Sequence, residues 1–158
     1  MNMTNTTTQD REMALSSTLN TPVALVWEVW TKPEHIVHWW GPNGFTTTIR
    51  VMEVRPGGQW NLVMHSPDGK DFDNKTIFRE VIPGKKLVFE HVSYPRFVAT
   101  IDFEEKGDQT AITWRMLFET AEVCKEIAET HKAREGQKQN MEKLHAYLTG
   151  LDKTIKHA

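Results

Sequence analysis

Along this chain, apolar positions recur first with a strand's two-residue period, then with a helical one, then with the strand period again, and finally with a long helical one. Residues 11–18 open the series, with Met13 and Leu15 on one side of a short alternating strand. From Pro22 to Thr31 the spacing puts Val23, Val26, Trp27 and Trp30 on a single helical stripe. Thr21 offers an N-cap oxygen. Pro22 suits the first helical position, where its fixed φ is helical and its missing N–H would have no partner. Lys32-Pro33 interrupts that helix, and a second short one follows, from Pro33 to Trp40.

From Phe45 to Glu119 the chain reads as strand and turn throughout. Thr46 to Val54 is β-branched and free of glycine. Trp60, Leu62 and Met64 alternate with Asn61, Val63 and His65, and Leu87, Phe89 and His91 alternate with Val88, Glu90 and Val92. Phe97, Ala99, Ile101 and Phe103 share one face, as do Ile112, Trp114, Met116 and Phe118. Turn signatures at Ser66-Pro67-Asp68-Gly69, Pro83-Gly84-Lys85 and Lys106-Gly107-Asp108 keep the links short, which makes an antiparallel meander. After Thr120 a short helix is expected near Glu122–Glu129, then a break, then a long helix from about Lys132 to Thr149 carrying Met141, Leu144, Leu148 and Leu151. The expected fold is α+β and of the helix-grip kind. In it a curved antiparallel sheet of about seven strands wraps a long C-terminal helix, with two short helices after strand 1. Residues 11–152 are expected to form the single domain, flanked by a disordered polar tail over 1–10 and a short tail over 153–158.

The stretch Trp39-Trp40-Gly41-Pro42 organises this series. Pro42 forbids a helical continuation and pushes Gly41 out of the α region, so the second short helix must end there. Adjacent helical positions point about 100° apart, so one indole can enter the core while the other lines an opening. Arg55-Pro56-Gly57-Gly58-Gln59-Trp60 reads as a tight turn, with at least one glycine at positive φ, that delivers Trp60 to the start of a strand. Together with Thr21-Pro22, Val26-Trp27, Trp30-Thr31, Pro33-Glu34 and Met52-Glu53-Val54, these motifs carry a family resemblance. So do Glu80-Val81-Ile82-Pro83, Arg134-Glu135-Gly136 and Met141-Glu142-Lys143-Leu144. Over roughly residues 11–150 the chain resembles the homologues of the activator of the heat-shock-protein-90 ATPase. These are single-domain members of the START-like (birch-pollen-allergen-like) superfamily, which includes binders, carriers, cyclases and co-chaperones. The resemblance implies the helix-grip fold and a cavity between sheet and terminal helix. Family members usually carry a large aromatic after the glycine of that helix, and here the position holds Gln137.

Composition narrows the classes. There are 19 basic and 21 acidic residues, a net charge of −2, which favours neither nucleic acid nor an anionic membrane as partner. No apolar run reaches the length of a membrane-spanning helix, and the polar N-terminus is not a secretory signal. The single cysteine, Cys124, rules out an internal disulfide and fits a reducing cytoplasm. His35 and His38 stand three apart without a third ligand nearby in sequence, so no metal is expected, and no cofactor fingerprint occurs.

Six tryptophans in a chain of this length call for an account in packing or in ligand contact. The candidate site residues are Trp40, Trp60, Met64, Phe78, Glu80, Phe89, His91, Trp114, Gly136 and Met141, expected to line the cavity. By alternation the same faces also hold Asn74, Thr76 and Ser93, whose polar groups need partners there. Glu80 and His91 could form an acid–base pair if they approach within about 3 Å. The first expectation is a binding protein for a hydrophobic or amphipathic small molecule, without catalytic residues. A co-chaperone-like interaction module is the alternative, and a cyclase- or hydratase-type enzyme using Glu80 and His91 is the third. A homodimer is left open. Deletion of residues 1–10 is expected to leave the melting temperature within about two degrees of the full chain, because a segment with eight polar residues has little to bury; a drop of more than about 5 °C would show that the tail packs on the domain.

Overall fold

The computed structural model of the protein describes residues 10–157, with side chains through residue 151. The expected N-terminal tail, apart from Asp10, lies outside the described residues. Seven strands form one antiparallel sheet: β1 (Glu12–Leu19), β2 (Thr46–Met52), β3 (Gln59–His65), β4 (Asp71–Ile82), β5 (Lys86–His91), β6 (Phe97–Lys106) and β7 (Gln109–Phe118). Their order is β1-β7-β6-β5-β4-β3-β2. Five consecutive hairpins build the meander from β2 to β7, as the short turns dictate. The first strand then closes against the last, with Glu12 opposite Leu117 and Leu19 opposite Thr110.

Because β1 and β2 occupy opposite edges, their connection must cross the whole sheet. Two helices make that crossing, α1 (Val23–Thr31) and α2 (Pro33–Trp39). Proline stands where each begins: Pro22 takes the cap position of α1 and Pro33 the first turn of α2. Thr21 does not cap α1 with its side chain; its carbonyl instead accepts from Thr110 Oγ1 at 2.7 Å, tying the helix start to β7. The apolar stripe of α1 lies inward, with Val26, Val29 and Trp30 buried, and Ile36 and Trp39 of α2 join them. Val23 and Trp27 are only partly buried.

The expected helix after Thr120 is a short α-helical segment, α3 (Ala121–Lys125), that widens into a π-helical turn over Glu126–Thr130. Thr120 Oγ1 caps it by accepting from Val123 N–H at 3.1 Å. Lys132, at φ 53, makes the break. The long helix α4 (Ala133–His157) follows and runs past Thr149 through most of the expected C-terminal tail. Met141, Leu144 and Leu148 pack it onto the inner face of the sheet.

The ladder is interrupted at two places, on β2 between Ile49 and Val51 and on β4. The register against β5 shifts between Phe78 and Glu80, a bulge that places Phe78 opposite Phe89 but Glu80 opposite Val88, on the outer face. Glu80 is exposed, which corrects its expected inward placement. At the head of β3, Gly57 stands at φ +83 and donates to Phe78 O at 2.7 Å, while Phe78 N–H returns to Gly58 O at 2.9 Å. The two-glycine turn is therefore stitched to the bulge.

The two glycines serve different ends. A Cβ on Gly57 would meet nothing, so alanine there is expected to lose only the left-handed preference, about 1 kcal/mol. A Cβ on Gly58 would overlap the Glu53 carbonyl oxygen, and Gly58→Ala is expected to lose at least about 2 kcal/mol in urea unfolding. The reverse order of effects would overturn this reading of the turn.

Candidate functional site

Trp39 and Trp40 part company at the end of α2. Trp39 is wholly buried and gives its indole N–H to Val29 O at 3.1 Å. Trp40, at the helix C-cap, is half-buried, and its ring stacks on Trp114 (centroids 5.5 Å apart, planes 27°) and leans on Trp60 (5.1 Å). Trp30 stands edge-on to Trp114 at 5.6 Å, and Trp60 stacks on Phe78 at 5.7 Å with planes 7° apart. Phe89 meets Trp60 edge-on at 5.1 Å. The structure thus brings Trp40, Trp60, Phe78, Phe89 and Trp114 into one continuous aromatic cluster between sheet and α4, with Met141 in the same core. Trp30, read from the sequence only as a stripe residue of α1, belongs to it as well.

Three of these rings carry a conflict. The indole N–H groups of Trp30, Trp60 and Trp114 are buried and find no acceptor among the described residues. A buried donor without a partner costs about 1–3 kcal/mol, and an edge-on contact with a neighbouring π-face offsets only part of that. Such groups are rare in native interiors.

The polar residues of α4 hold backbone. Buried Gln137 donates to Trp114 O at 3.2 Å. Asn140, also buried, donates to Trp39 O at 2.7 Å and accepts from Gly41 N–H at 3.1 Å. Gln139 accepts from Asn43 N–H at 3.1 Å, and Lys143 Nζ donates to Gly41 O at 3.2 Å and Pro42 O at 3.4 Å. Burial pushes the Lys143 ammonium below its ordinary range. Gly136 faces Pro42, whose Cβ would lie 3.6 Å from an added methyl, an ordinary contact distance. The signal for this clamp in the sequence is the polar run Gln137-Lys138-Gln139-Asn140 inside an otherwise amphipathic helix.

At the rim, Met64 is half-buried opposite Phe72, which is 47% exposed and 6.4 Å from the ring of Phe45. On the same inner face His91 stacks on Phe97 at 4.8 Å. Its Nδ1 lies 2.7 Å from Pro95 O and its Nε2 lies 2.7 Å from Asn74 Oδ1 and 3.3 Å from Ser93 Oγ. Both ring nitrogens are engaged and Glu80 is on the opposite face, so the acid–base pair expected of His91 and Glu80 does not form. Burial holds the His91 imidazolium below the ordinary histidine range, although the neighbouring Pro95 carbonyl acts the other way.

Two hydroxyl–imidazole contacts were not legible in the sequence. Thr48 Oγ1 lies 2.8 Å from His65 Nε2, and His65 Nδ1 lies 2.7 Å from Asp71 Oδ1. The spacing matches a nucleophile–base–acid relay, but Thr48 and Asp71 are exposed on the outer face of the sheet, with no enclosure for a substrate. Ser17 Oγ lies 2.7 Å from His145 Nε2, beside a pocket of about 100 Å³ lined by Leu19, Asn20, Thr21, His145, Leu148 and Thr149. That volume is well below the several hundred cubic ångströms usual for small-molecule sites. Among the described residues no cluster of three or more His, Cys, Asp or Glu side chains could hold a metal ion. No described helix is long and apolar enough to cross a membrane.

The His91 corner sets a pH dependence. A folded pKa below the unfolded value means that the unfolded chain binds more protons, so stability falls with falling pH. The loss is expected to begin as pH drops through about 6.5 and to continue toward the depressed folded value. Urea unfolding at about pH 7.5 and 5.5 should therefore show a larger acid loss for the wild type than for His91→Gln. Equal losses would remove His91 from the account.

Comparison with known proteins places this architecture. No functionally curated protein matches the sequence. A solved structure of a protein from Nitrosomonas europaea is 27% identical, with 91% of this chain and 97% of that one covered and a TM-score of 0.83. A protein from Arthrobacter aurescens, 24% identical, covers 90% of this chain and 88% of its own with a TM-score of 0.84. An AHSA1-like protein from Aeromonas hydrophila, 19% identical, covers 89% and 94% at a TM-score of 0.70. At those last two identities the likeness speaks for the fold alone. The model of the family described as activator of Hsp90 ATPase homolog 1-like protein matches residues 20–149, and the chain belongs to that family.

Proposed function

We propose that this domain binds an apolar or amphipathic small molecule between its sheet and α4, in the cytoplasm. The observation that carries the reading is the set of three buried indole donors, on Trp30, Trp60 and Trp114, with no acceptor among the described residues. An apolar body would rest against the aromatic rings, and an oxygen on it would accept from one or more of these N–H groups. Isolated donors of this kind persist in a folded protein when something compensates them, and a ligand acceptor is such a compensation. Met64 and Phe45, both close to Gly41, and exposed Phe72 form an apolar rim beside the Trp40–Gly41 turn. Cys124, buried and with its thiol pushed up by that burial, suits a reducing compartment.

Family membership favours a second reading, a co-chaperone-like contact made through the surface. The two differ in a direct measurement. Protein purified under native conditions and then extracted into organic solvent is expected to release a small molecule visible by mass spectrometry. After extraction, an apolar fluorescent probe is expected to bind and to change tryptophan emission, because indoles line the site. If no molecule is released and no probe binds, the small-molecule reading falls and the surface reading takes its place.

A further inference from the structure

We infer that the side chain of Trp40 occupies the ligand's own position and that a planar aromatic molecule bearing hydrogen-bond acceptors displaces it. The inference rests on the binding site proposed above and names both its gate and its ligand class.

Four other indoles surround the Trp40 ring: Trp60 at 5.1 Å, Trp114 at 5.5 Å, Trp39 at 5.6 Å and Trp30 at 5.9 Å. Three of those four are the rings whose N–H groups lack acceptors; the fourth, Trp39, is satisfied by Val29 O. An indole side chain donates and has no lone pair to accept with. Trp40 therefore fills the centre of the cluster by shape and dispersion but leaves its neighbours' donors unmet. A flat ring of similar size with a carbonyl or carboxylate oxygen does both.

Trp40 is also placed to leave. Its four aromatic neighbours are buried, whereas Trp40 is itself only partly so. The backbone around it is fixed on both sides. Trp40 N–H donates to Ile36 O at 3.0 Å, Thr47 Oγ1 donates to Trp40 O at 3.3 Å, and Asn140 holds both Trp39 O and Gly41 N–H. A rotation of the side chain moves the ring while the turn stays in place. The apolar rim of Met64, Phe45 and Phe72 offers the displaced ring a surface to rest on. A ligand competing with a resident side chain binds more weakly by the fraction of time the site is open.

The experiment compares coumarin, a flat bicycle with carbonyl acceptors, with naphthalene, which has the same outline and none. Binding is measured by calorimetry on the wild type, on Trp40→Ala and on Trp27→Phe as a control outside the ring of four. Trp40→Ala is expected to bind coumarin at least about tenfold more tightly than the wild type, with a smaller gain for naphthalene and no change in Trp27→Phe. Equal coumarin affinity in wild type and Trp40→Ala would overturn the gate while leaving the binding site standing. Failure of both molecules to bind either protein, with no molecule released on extraction, would overturn the site itself and the gate with it. Should Trp40→Ala not fold, the wild type labelled with 5-fluorotryptophan decides. Saturating coumarin is expected to move the Trp40 fluorine resonance to a solvent-exposed position, and an unmoved resonance rejects displacement.

Discussion

Asn140 grips the peptide groups on both sides of Trp40, giving Nδ2–H to Trp39 O and taking Gly41 N–H. Its neighbours on α4 extend the grip, Gln139 to Asn43 and Lys143 to the carbonyls of Gly41 and Pro42. Asparagine is a weak helix former in a helix interior, so this position trades local propensity for a tertiary contact. Gly41 and Pro42 end α2, so the turn's peptide groups lack helical partners, and a buried one left unpaired costs about 1–3 kcal/mol. Through that turn the helix and the sheet's aromatic layer are placed relative to one another.

The aromatic layer itself is a compromise between two demands. Packing favours the large rings, which bury much apolar surface and meet in stacked and edge-on geometries. Hydrogen bonding disfavours them, since each buried indole brings a donor that needs an acceptor. Trp39 resolves the conflict with Val29 O; Trp30, Trp60 and Trp114 leave it open. Where a natural interior departs from full polar satisfaction, the departure commonly marks a functional position.

Much of the fold was legible because periodicity changes sharply at three places in the chain. Two-residue alternation gives way to a helical stripe at Pro22, returns after the Gly41-Pro42 stop, and yields to a helical period again beyond Thr120. The different surroundings of Trp39 and Trp40 also followed from their adjacency in a helix. Glu80 was misplaced because alternation presumes an unbroken ladder, and the bulge at Phe78/Glu80 is set by pairing with β5, which a single strand's text does not contain. The role of the polar run on α4 was not legible, because side-chain polarity does not say whether its partner is a ligand or a distant backbone. Gln137 and Asn140 answer that only through contacts with Trp114 and Trp39. The Thr48–His65–Asp71 contact was hidden for the same reason: three strands had to align first.

The closing of β1 on β7 has a consequence for how the protein is made. Glu12 meets Leu117, and Asn140 meets partners 99 and 101 positions away. Contacts so remote in sequence raise the contact order and slow folding. On the ribosome, the meander can pair hairpin by hairpin as it emerges, but the first strand must wait for the seventh. The tryptophan layer must wait longer still, until α4 is synthesised and can dock. For most of translation its indoles face solvent or nascent chain, the interval in which exposed aromatic surface invites aggregation and chaperone capture.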